Sequence, residues 1–415
     1  MQTDLPQSFR DSARGARAEQ ILRSCVHCGF CNATCPTYQL LGDELDGPRG
    51  RIYLMKEMFE SGRPDALVAR HLDRCLTCRN CETTCPSGVA YGELVELGRD
   101  VIEAEGQRGW LDGLIRRALL AVVPEPRRFR PLVRLGRAFR WLLPAQLRRQ
   151  VPKLGRRAEG VQAPVQRPQG APARRVLVLE GCVQRVSTPE VNGALARLLG
   201  RHGIETLRAP AETCCGSLAL HLGAHEQALD TVRRNLRALA PYLDQVEAVV
   251  STASGCGVTL KDYPRLLAEA QASATTGADA ELRALADALA IKLRDVAEYL
   301  AELNLDWQRD ERFTRLAWHP PCTLQHGQRI TGAVEQILHR AGYELVPVRD
   351  RHLCCGSAGT YALLQGQIAD QLRQRKIGNL TEHAPDAVVT ANIGCQLHLA
   401  SGAGVPVLHW LEVLH

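Results

Sequence analysis

The alternation of apolar and polar positions predicts short strands and helices in the carboxyl-terminal half of the chain. Runs rich in β-branched residues, such as Ala248-Val-Val-Ser251 and Ala387-Val-Val-Thr390, end just before a cysteine. Stretches with helical spacing, such as Asn192–His202 and Ala333–Ala341, lie between such runs. Alternating strands and helices are typical of α/β units with a largely parallel sheet.

This pattern occurs twice, which indicates an internal duplication. Residues 175–182 correspond to 315–322, residues 214–216 to 354–356, and residues 252–256 to 390–395. The cysteines in these segments are offset by 140, 140 and 139 residues. We therefore expect two α/β halves, 175–300 and 301–415, related by pseudo-twofold symmetry. Ligands of such sheets lie beyond the carboxyl ends of the strands, where these cysteines fall.

The amino-terminal pattern is helical. Pro48 suits the first position of a helix, and Ile52, Met55 and Phe59 then recur at helical spacing. We expect a helix–loop–helix connection between two cysteine motifs within a first domain at 1–106. The predicted fold class is therefore a multidomain α+β and α/β protein, with a helical amino-terminal domain and a duplicated α/β carboxyl-terminal part.

The segment 107–174 differs from both neighbours in composition. Residues 108–157 hold fourteen Lys or Arg and two acidic residues, a local balance of +12 in a chain of net charge +6. The rest of the chain is thus at −6, which argues against a general nucleic-acid binder. We predict basic helical structure followed by a linker at 151–174, where four prolines occur with few large apolar residues.

Sixteen cysteines are too many for a typical chain of a reducing compartment unless they bind metal. The first residues lack the apolar core of a secretory signal, and no apolar run approaches the length of a membrane span. We therefore expect a cytoplasmic protein whose thiols are metal ligands.

Eight of the cysteines form two copies of the run C-x₂-C-x₂-C-x₃-C-P, at 25–36 and 75–86. This spacing is typical of two-cluster ferredoxins, in which the fourth cysteine of each motif binds the other cluster. The predicted ligands are Cys25, Cys28, Cys31 and Cys85 for one [4Fe–4S] cluster, and Cys75, Cys78, Cys81 and Cys35 for the second.

A pair of zinc sites is the alternative, but zinc usually takes two separated C-x₂-C pairs. Disulfides fit this spacing less well. Arg49, Arg51 and Arg79 are candidates to offset cluster charge, although a solvated helix start or loop is the plainer interpretation.

Each α/β half carries four more cysteines around a Cys-Cys-Gly sequence. Three interpretations stay open for them: a further iron–sulfur cluster, a zinc site, or buried structural thiols. The fixed repeat favours metal ligation. Nearby histidines, at 319, 326, 352 and 398, are expected to be hydrogen-bonded loop residues. The candidate sites are Cys182, Cys214, Cys215 and Cys256 in the first half, and Cys322, Cys354, Cys355 and Cys395 in the second.

The dicluster motifs followed by two Cys-Cys-Gly repeats resemble the family of heterodisulfide reductases, anaerobic glycerol-3-phosphate dehydrogenase small subunits and lactate-utilisation proteins. More closely, the chain resembles the iron–sulfur subunits of bacterial glycolate oxidases. The stretches that carry this resemblance are 25–31, 35–52, 71–85, 353–361 and 390–396.

The resemblance implies a subunit that carries electrons from separate FAD-binding subunits, which oxidise glycolate to glyoxylate, towards a quinone pool. In the heterodisulfide reductase pattern the last cysteine of each repeat belongs to a C-x-x-C pair. Here Ala253 and Asn392 occupy the earlier position, so the resemblance does not extend to a five-cysteine cluster.

The chain lacks a G-x-G-x-x-G sequence after a strand and lacks a P-loop, which fits a subunit without its own organic chemistry. The alternatives are a lactate or glycerol-3-phosphate dehydrogenase subunit, a self-sufficient thiol–disulfide or quinone reductase, and a zinc scaffold. The basic segment, with Trp110 and Trp141, is expected to contact either anionic lipid on the inner face of the membrane or an acidic partner.

Overall fold

The structure, a computed structural model, describes residues 1–105, 108–143, 148, 151, 174–270, 277–303 and 305–415. Most of the predicted linker, residues 152–173, lies outside the described residues. The predicted domain boundaries at 106, 174 and 300 stay predictions.

Residues 1–105 are helical and contain no strand. Pro48 is the first residue of its helix, as predicted, and a second helix follows it before the second cysteine motif. The helices are α1 (Gln7–Arg10), α2 (Ala13–Ser24), α3 (Phe30–Ala33), α4 (Pro36–Leu41), α5 (Pro48–Ser61), α6 (Ala66–Asp73), α7 (Asn80–Thr84) and α8 (Tyr91–Ala104), with a 3₁₀ turn at Glu44–Asp46.

The core of this module forms where the longer helices cross. Leu22, Met55, Leu72, Leu94 and Ile102 are fully buried there. Their spacing places one apolar face of each helix inward. The two cysteine loops therefore lie against a well-packed hydrophobic core.

Two helices follow, α9 (Trp110–Val122) and α10 (Pro126–Ala138), with a 3₁₀ turn at Arg140–Leu142. The prediction of basic helical structure is thus confirmed for the described part of this segment. A search of the described helices for one that is long and apolar enough to span a membrane finds none.

The remainder of the described chain contains two parallel four-stranded sheets. The strands are β1 (Arg174–Leu179), β2 (Ile204–Leu207), β3 (Ala248–Ser251), β4 (Leu293–Asp295), β5 (Arg315–His319), β6 (Glu344–Leu345), β7 (Ala387–Thr390) and β8 (Val407–His409). Their orders in the two sheets, β2-β1-β3-β4 and β6-β5-β7-β8, are the same pattern used twice, which confirms the predicted duplication.

Helices cover these sheets, as the α/β prediction requires. In the first half they are α11 (Gln184–Ser187), α12 (Glu190–Arg201), α13 (Ser217–His221), α14 (His225–Leu243), α15 (Ser254–Lys261), α16 (Tyr263–Ala270), α17 (Gly277–Lys292) and α18 (Val296–Glu302). In the second half they are α19 (Ala333–Arg340), α20 (Tyr361–Leu364), α21 (Gly366–Thr381) and α22 (Ile393–Ala400), with a π-helical turn at Thr323–Gly327 and a 3₁₀ turn at Trp410–Val413.

One apolar core joins the two halves. Val176 and Val178 of β1 pack in the same core as Leu316 and Trp318 of β5, whereas Leu177 faces a separate core on the other side of its sheet. Alternate residues of β1 are therefore buried on opposite faces, as expected for a strand of a covered parallel sheet.

Candidate iron–sulfur site

The two cysteine loops of the helical module share an unusual backbone. His27 and Gly29 have φ of 57° and 83°, and Thr77 and Arg79, at the matching positions, have φ of 52° and 59°. When residues of left-handed backbone conformation alternate with right-handed ones, successive N–H groups point into one concave surface. Such a surface binds anions. The backbone thus fits a negatively charged iron–sulfur group.

The first thiol set, defined as Cys25, Cys28, Cys31 and Cys85, lines one open cavity of about 430 Å³. The pKa of Cys31 is raised to about 11, mostly by burial and in addition by charge on Cys25 and Cys85. Cys85 comes from the second motif, yet it lies with three cysteines of the first. This placement is the one that crossed ligation requires.

The second thiol set, defined as Cys75, Cys78, Cys81 and Cys35, is more deeply buried. Burial raises the pKa of Cys81 well above its usual range, and neighbouring charge on Cys78, Cys75 and Cys35 adds to this effect. Cys35 therefore lies with the second motif, the reverse of the exchange made by Cys85. Four thiolates crowded in this way fit the positively charged core of an iron–sulfur cluster, which would stabilise their charge, although core and thiolates together are negative.

A buried arginine accompanies the second thiol set. The Arg51 side chain is 1% exposed, its Nε donates to the carbonyl of His71 at 2.7 Å, and its Nη1 lies 4.0 Å from Cys35 Sγ. Burial acts to raise the pKa of Cys75, but the charges of Arg51 and Arg99 outweigh it, and the pKa is lowered. The interpretation of Arg51 as a solvated helix residue is thus wrong.

The other two arginines also have defined positions. Arg49 Nη1 lies 2.6 Å from where a Cβ on Gly29 would be, so its guanidinium covers the first cysteine loop. The side chain of Arg79 is about three-quarters buried, and its Nε forms an ion pair with Oε2 of Glu82 at 2.9 Å. Glycine at position 29 therefore permits both the left-handed turn and the approach of Arg49.

Several residues around these thiols escaped the sequence analysis. Asp46 is fully buried and accepts hydrogen bonds from Arg74 at 2.8 Å and Arg51 at 3.4 Å, with His71 Nδ1 at 2.8 Å. Tyr91 donates its hydroxyl proton to Cys75 Sγ at 3.6 Å. The sequence alone indicates a candidate role near the clusters for Arg51 but none for Asp46, its partner five residues earlier.

In the first α/β half, the predicted thiols come together at the carboxyl ends of the strands. The Sγ atoms of Cys182 and Cys214 are 3.5 Å apart, and contacts continue through Cys215 to Cys256. Contact with Cys182 lowers the pKa of Cys214 well below its usual range. These four thiols, of which only Cys256 is partly exposed, form a compact group that suits metal binding.

In the second half, the corresponding thiols form the same chain of contacts. The Sγ atoms of Cys322 and Cys354 are 3.9 Å apart, and Cys355 contacts both Cys354 and Cys395. Charge on Cys322 is, after burial, the largest influence that raises the pKa of Cys78. The second half therefore places its thiols directly beside the second thiol set.

Hydrogen bonds fix this contact between the helical module and the second half. Asn80 donates to the carbonyl of His352 at 3.3 Å, Thr83 pairs with His326 at 2.9 Å, and Tyr361 donates to the carbonyl of Arg74 at 3.0 Å. The sequence did not indicate which half would meet the cysteine motifs.

The four nearby histidines do not share one role. His326 and His398 are hydrogen-bonded to main-chain carbonyls, as predicted, at 2.9 Å and 3.3 Å, but they lie in the π-helical turn and in helix α22 and not in loops. His319 lies at the end of strand β5 and is buried, and neither of its ring nitrogens has a hydrogen-bond partner within the described residues. For His319 the prediction of a hydrogen-bonded loop residue is wrong.

The positions that break the C-x-x-C pairs are both helix starts. Ala253 and Asn392 are the N-cap residues of α15 and α22, and Asn392 donates its amide to Cys395 Sγ at 3.8 Å. Ala253 and Asn392 thus stand where the first cysteine of a C-x-x-C pair would be, and neither supplies a thiol.

Comparisons with known proteins agree with this arrangement. Residues 21–89 match the 4Fe–4S dicluster domain family, and residues 176–261 and 316–400 each match the cysteine-rich domain family. The first match supports iron–sulfur clusters over a zinc scaffold for the helical module.

The chain is also similar to whole proteins. It is 46% identical over 415 residues to the glycolate oxidase iron–sulfur subunit of Escherichia coli K12, covering 100% of this chain and 98% of that protein. It is 32% identical over 406 residues to the probable glycolate oxidase iron–sulfur subunit of Bacillus subtilis 168, covering 92% and 89%. Lactate utilization protein A of Geobacillus kaustophilus is 29% identical over 248 residues, 58% of this chain and 98% of that protein.

Proposed function

We propose a function from one premise: this chain belongs to the family of glycolate oxidase iron–sulfur subunits. In this proposal it is the electron-transfer subunit of a glycolate oxidase. It receives electrons from FAD-binding subunits that oxidise glycolate to glyoxylate, and it passes them towards the quinone pool. The oxidation of the substrate itself takes place on the flavin subunits.

The observation that carries the proposal is the exchange of Cys35 and Cys85 between the two thiol sets. In the proposal the first set holds one [4Fe–4S] cluster and the second set holds another. Such a cluster, when bound, accepts and donates single electrons. Because each motif supplies a thiol to both sets, the two groups are neighbours, as a relay requires.

The chain contributes the surroundings of this relay. Burial excludes water from the second set, and the positive charges of Arg51 and Arg99 favour its reduced, more negative state. The contact between Cys78 and the second-half thiols joins the second thiol set to the second α/β half. We propose that the thiols of both α/β halves bind metal, either iron–sulfur or zinc.

Reconstitution separates this proposal from a self-sufficient reductase. The anaerobically purified chain alone is expected to show no glycolate-dependent reduction of an artificial dye. Addition of the flavin subunits is expected to restore quinone reduction, which serves as the positive control. Turnover by the chain without a flavin subunit would contradict the proposal.

The same assembled complex tests the substrate class. We expect glycolate to reduce the quinone faster than lactate or glycerol-3-phosphate at equal concentration. A preference for either of these would indicate instead the related dehydrogenase subunits.

We also propose that helices α9 and α10 rest on the inner face of the cell membrane. Exposed apolar residues of α9 lie on one stripe, at Trp110, Leu111, Leu114 and Ile115, whereas Arg116 of the same helix is buried. An ordinary surface helix turns its apolar residues towards the protein and its charged residues towards solvent, and α9 does the opposite. An apolar surface of this kind is typical of a contact with lipid or protein.

Helix α10 supports lipid over an acidic partner. Leu132, Leu135 and Phe139 are about half exposed and lie beside a row of arginines. A helix with bulky apolar residues on one face and arginines on the next lies well in the plane of an anionic bilayer. Within the described residues, no carboxylate forms an ion pair with the arginines of this row at 127, 130 and 134.

Vesicle binding tests this contact. The change of Arg127, Arg130 and Arg134 to glutamine is expected to weaken binding to phosphatidylglycerol-containing vesicles by roughly 10- to 100-fold. The exposed arginines Arg201, Arg234 and Arg237, changed in the same way, provide a control of equal charge. Equal loss in both variants, or no binding of the unchanged chain, would contradict the membrane proposal.

A further inference from the structure

His319 stands out among the buried polar residues of the second α/β half. The residue is 1% exposed at the carboxyl end of β5, and neither ring nitrogen has a hydrogen-bond partner within the described residues. An imidazole without a partner is costly to bury, and such a group in a native protein calls for an explanation. Ligation of a metal ion would satisfy one nitrogen.

Two thiols are in place for such an ion. A ring nitrogen of His319 and the Sγ atoms of Cys355 and Cys395 all lie within 4.8 Å of one another, and all three residues are buried. Zinc binds sulfur at about 2.3 Å and imidazole nitrogen at about 2.0 to 2.1 Å, so its tetrahedral ligands lie roughly 3.5 to 3.8 Å apart. Small side-chain movements would bring these three groups to that distance.

This spacing favours a single ion over a cubane cluster. Each thiolate of a cubane binds a different iron, which keeps the sulfur atoms farther apart than the ligands of one ion. Thiolates together with an imidazole are the ligand set of closed structural zinc sites. A further thiol, that of Cys354, contacts Cys355 but lies outside this three-residue group, so it would have to turn towards the ion to complete the site.

The first half lacks this arrangement. Leu179 ends β1 at the position that corresponds to His319, 140 residues earlier. Within the described residues, the thiols of the first half form no group with a histidine like that of the second. The duplicated halves are therefore chemically different at this point.

We propose that His319, Cys355 and Cys395 hold a zinc ion, with Cys354 as the fourth ligand. This inference goes beyond the proposed function, since it assigns a resident, non-redox metal to one half. The ion would tie β5, the Cys-Cys-Gly loop and the start of α22 together beside the second thiol set.

Metal analysis of the full chain, purified anaerobically, tests the inference. We expect about one zinc per chain, and X-ray absorption at the zinc edge should show nitrogen as well as sulfur in the first shell. His319→Leu, which installs the residue found in the first half, should lose the zinc but keep the iron of the helical module. His319→Cys, which restores a zinc ligand, should regain it.

His352→Gln is the matched control, because this histidine lies next to the Cys-Cys-Gly loop but outside the three-residue group. It should retain zinc. An unchanged chain without zinc, a zinc shell of sulfur alone, or full zinc content in His319→Leu would overturn the inference. None of these results depends on glycolate turnover, so failure of the proposed function would be seen separately.

Discussion

Replacement of Cys85 by alanine is expected to remove the cluster of the first motif, although Cys85 belongs to the second motif. In the structure Cys85 completes the set of Cys25, Cys28 and Cys31. The variant should contain about four fewer irons per chain. Electron transfer from the flavin subunits to quinone should fall at least about 100-fold, because even changes outside the ligand shell cost 10- to 100-fold.

Iron analysis and quinone reduction by the reconstituted complex measure these effects. Ser87→Ala is the control, since Ser87 lines the same cavity without a metal-binding thiol. It should keep both iron and activity. If Cys85→Ala kept its full iron content, Cys85 would not be a ligand.

Replacement of Arg51 by methionine is expected to destabilise the chain and to shift the second cluster. The change leaves the fully buried Asp46 without one of its positive partners and removes the hydrogen bonds to His71 and Thr37. Loss of one partner from a buried ion pair costs about 3 to 5 kcal/mol. Since Arg51 also lies 4.0 Å from Cys35 Sγ, the reduction potential of the second cluster should fall.

Denaturant unfolding of the iron-loaded chain and potentiometric titration measure the two effects. Arg49→Met is the matched control, because the side chain of Arg49 is 36% exposed and pairs with Glu44 near the surface. It should change the free energy of unfolding by no more than about 1 kcal/mol. Arg49 lies over the first cysteine loop, so any change in potential should concern the first cluster. Equal destabilisation in both variants would show that burial of Arg51 is not the cause.

Patterns local in sequence predicted much of this architecture. The strands at 248–251 and 387–390 have their predicted bounds, because β-branched runs between turn residues depend little on distant contacts. The duplication was visible because three cysteine segments recur at nearly one offset. The spacing of the motifs, with general rules of cluster ligation, predicts the crossed ligation, and the positions of Cys35 and Cys85 are compatible with it.

Features that depend on tertiary contacts were not predictable. Arg51 looks like any arginine in the first turn of a helix, and only the fold places Asp46, Thr37 and His71 around it. The pattern of helix 110–122 is amphipathic, but periodicity alone does not say that its apolar stripe lies outward. Only the fold shows that His319 is buried at the end of β5 without the expected hydrogen bonds.

The central claim is that Cys35 and Cys85 are exchanged between the two clusters. The most direct test is electron spin resonance of the reduced chain and of its single cysteine variants, all purified without oxygen. We predict a wild-type spectrum broadened by two interacting [4Fe–4S] clusters. Cys25→Ala and Cys85→Ala should leave one and the same isolated signal, and Cys75→Ala and Cys35→Ala should both leave the other. Residual signals that pair Cys25 with Cys35 and Cys75 with Cys85 would contradict the exchange of ligands, and a colourless, iron-free chain that still supports the reaction would contradict the whole account.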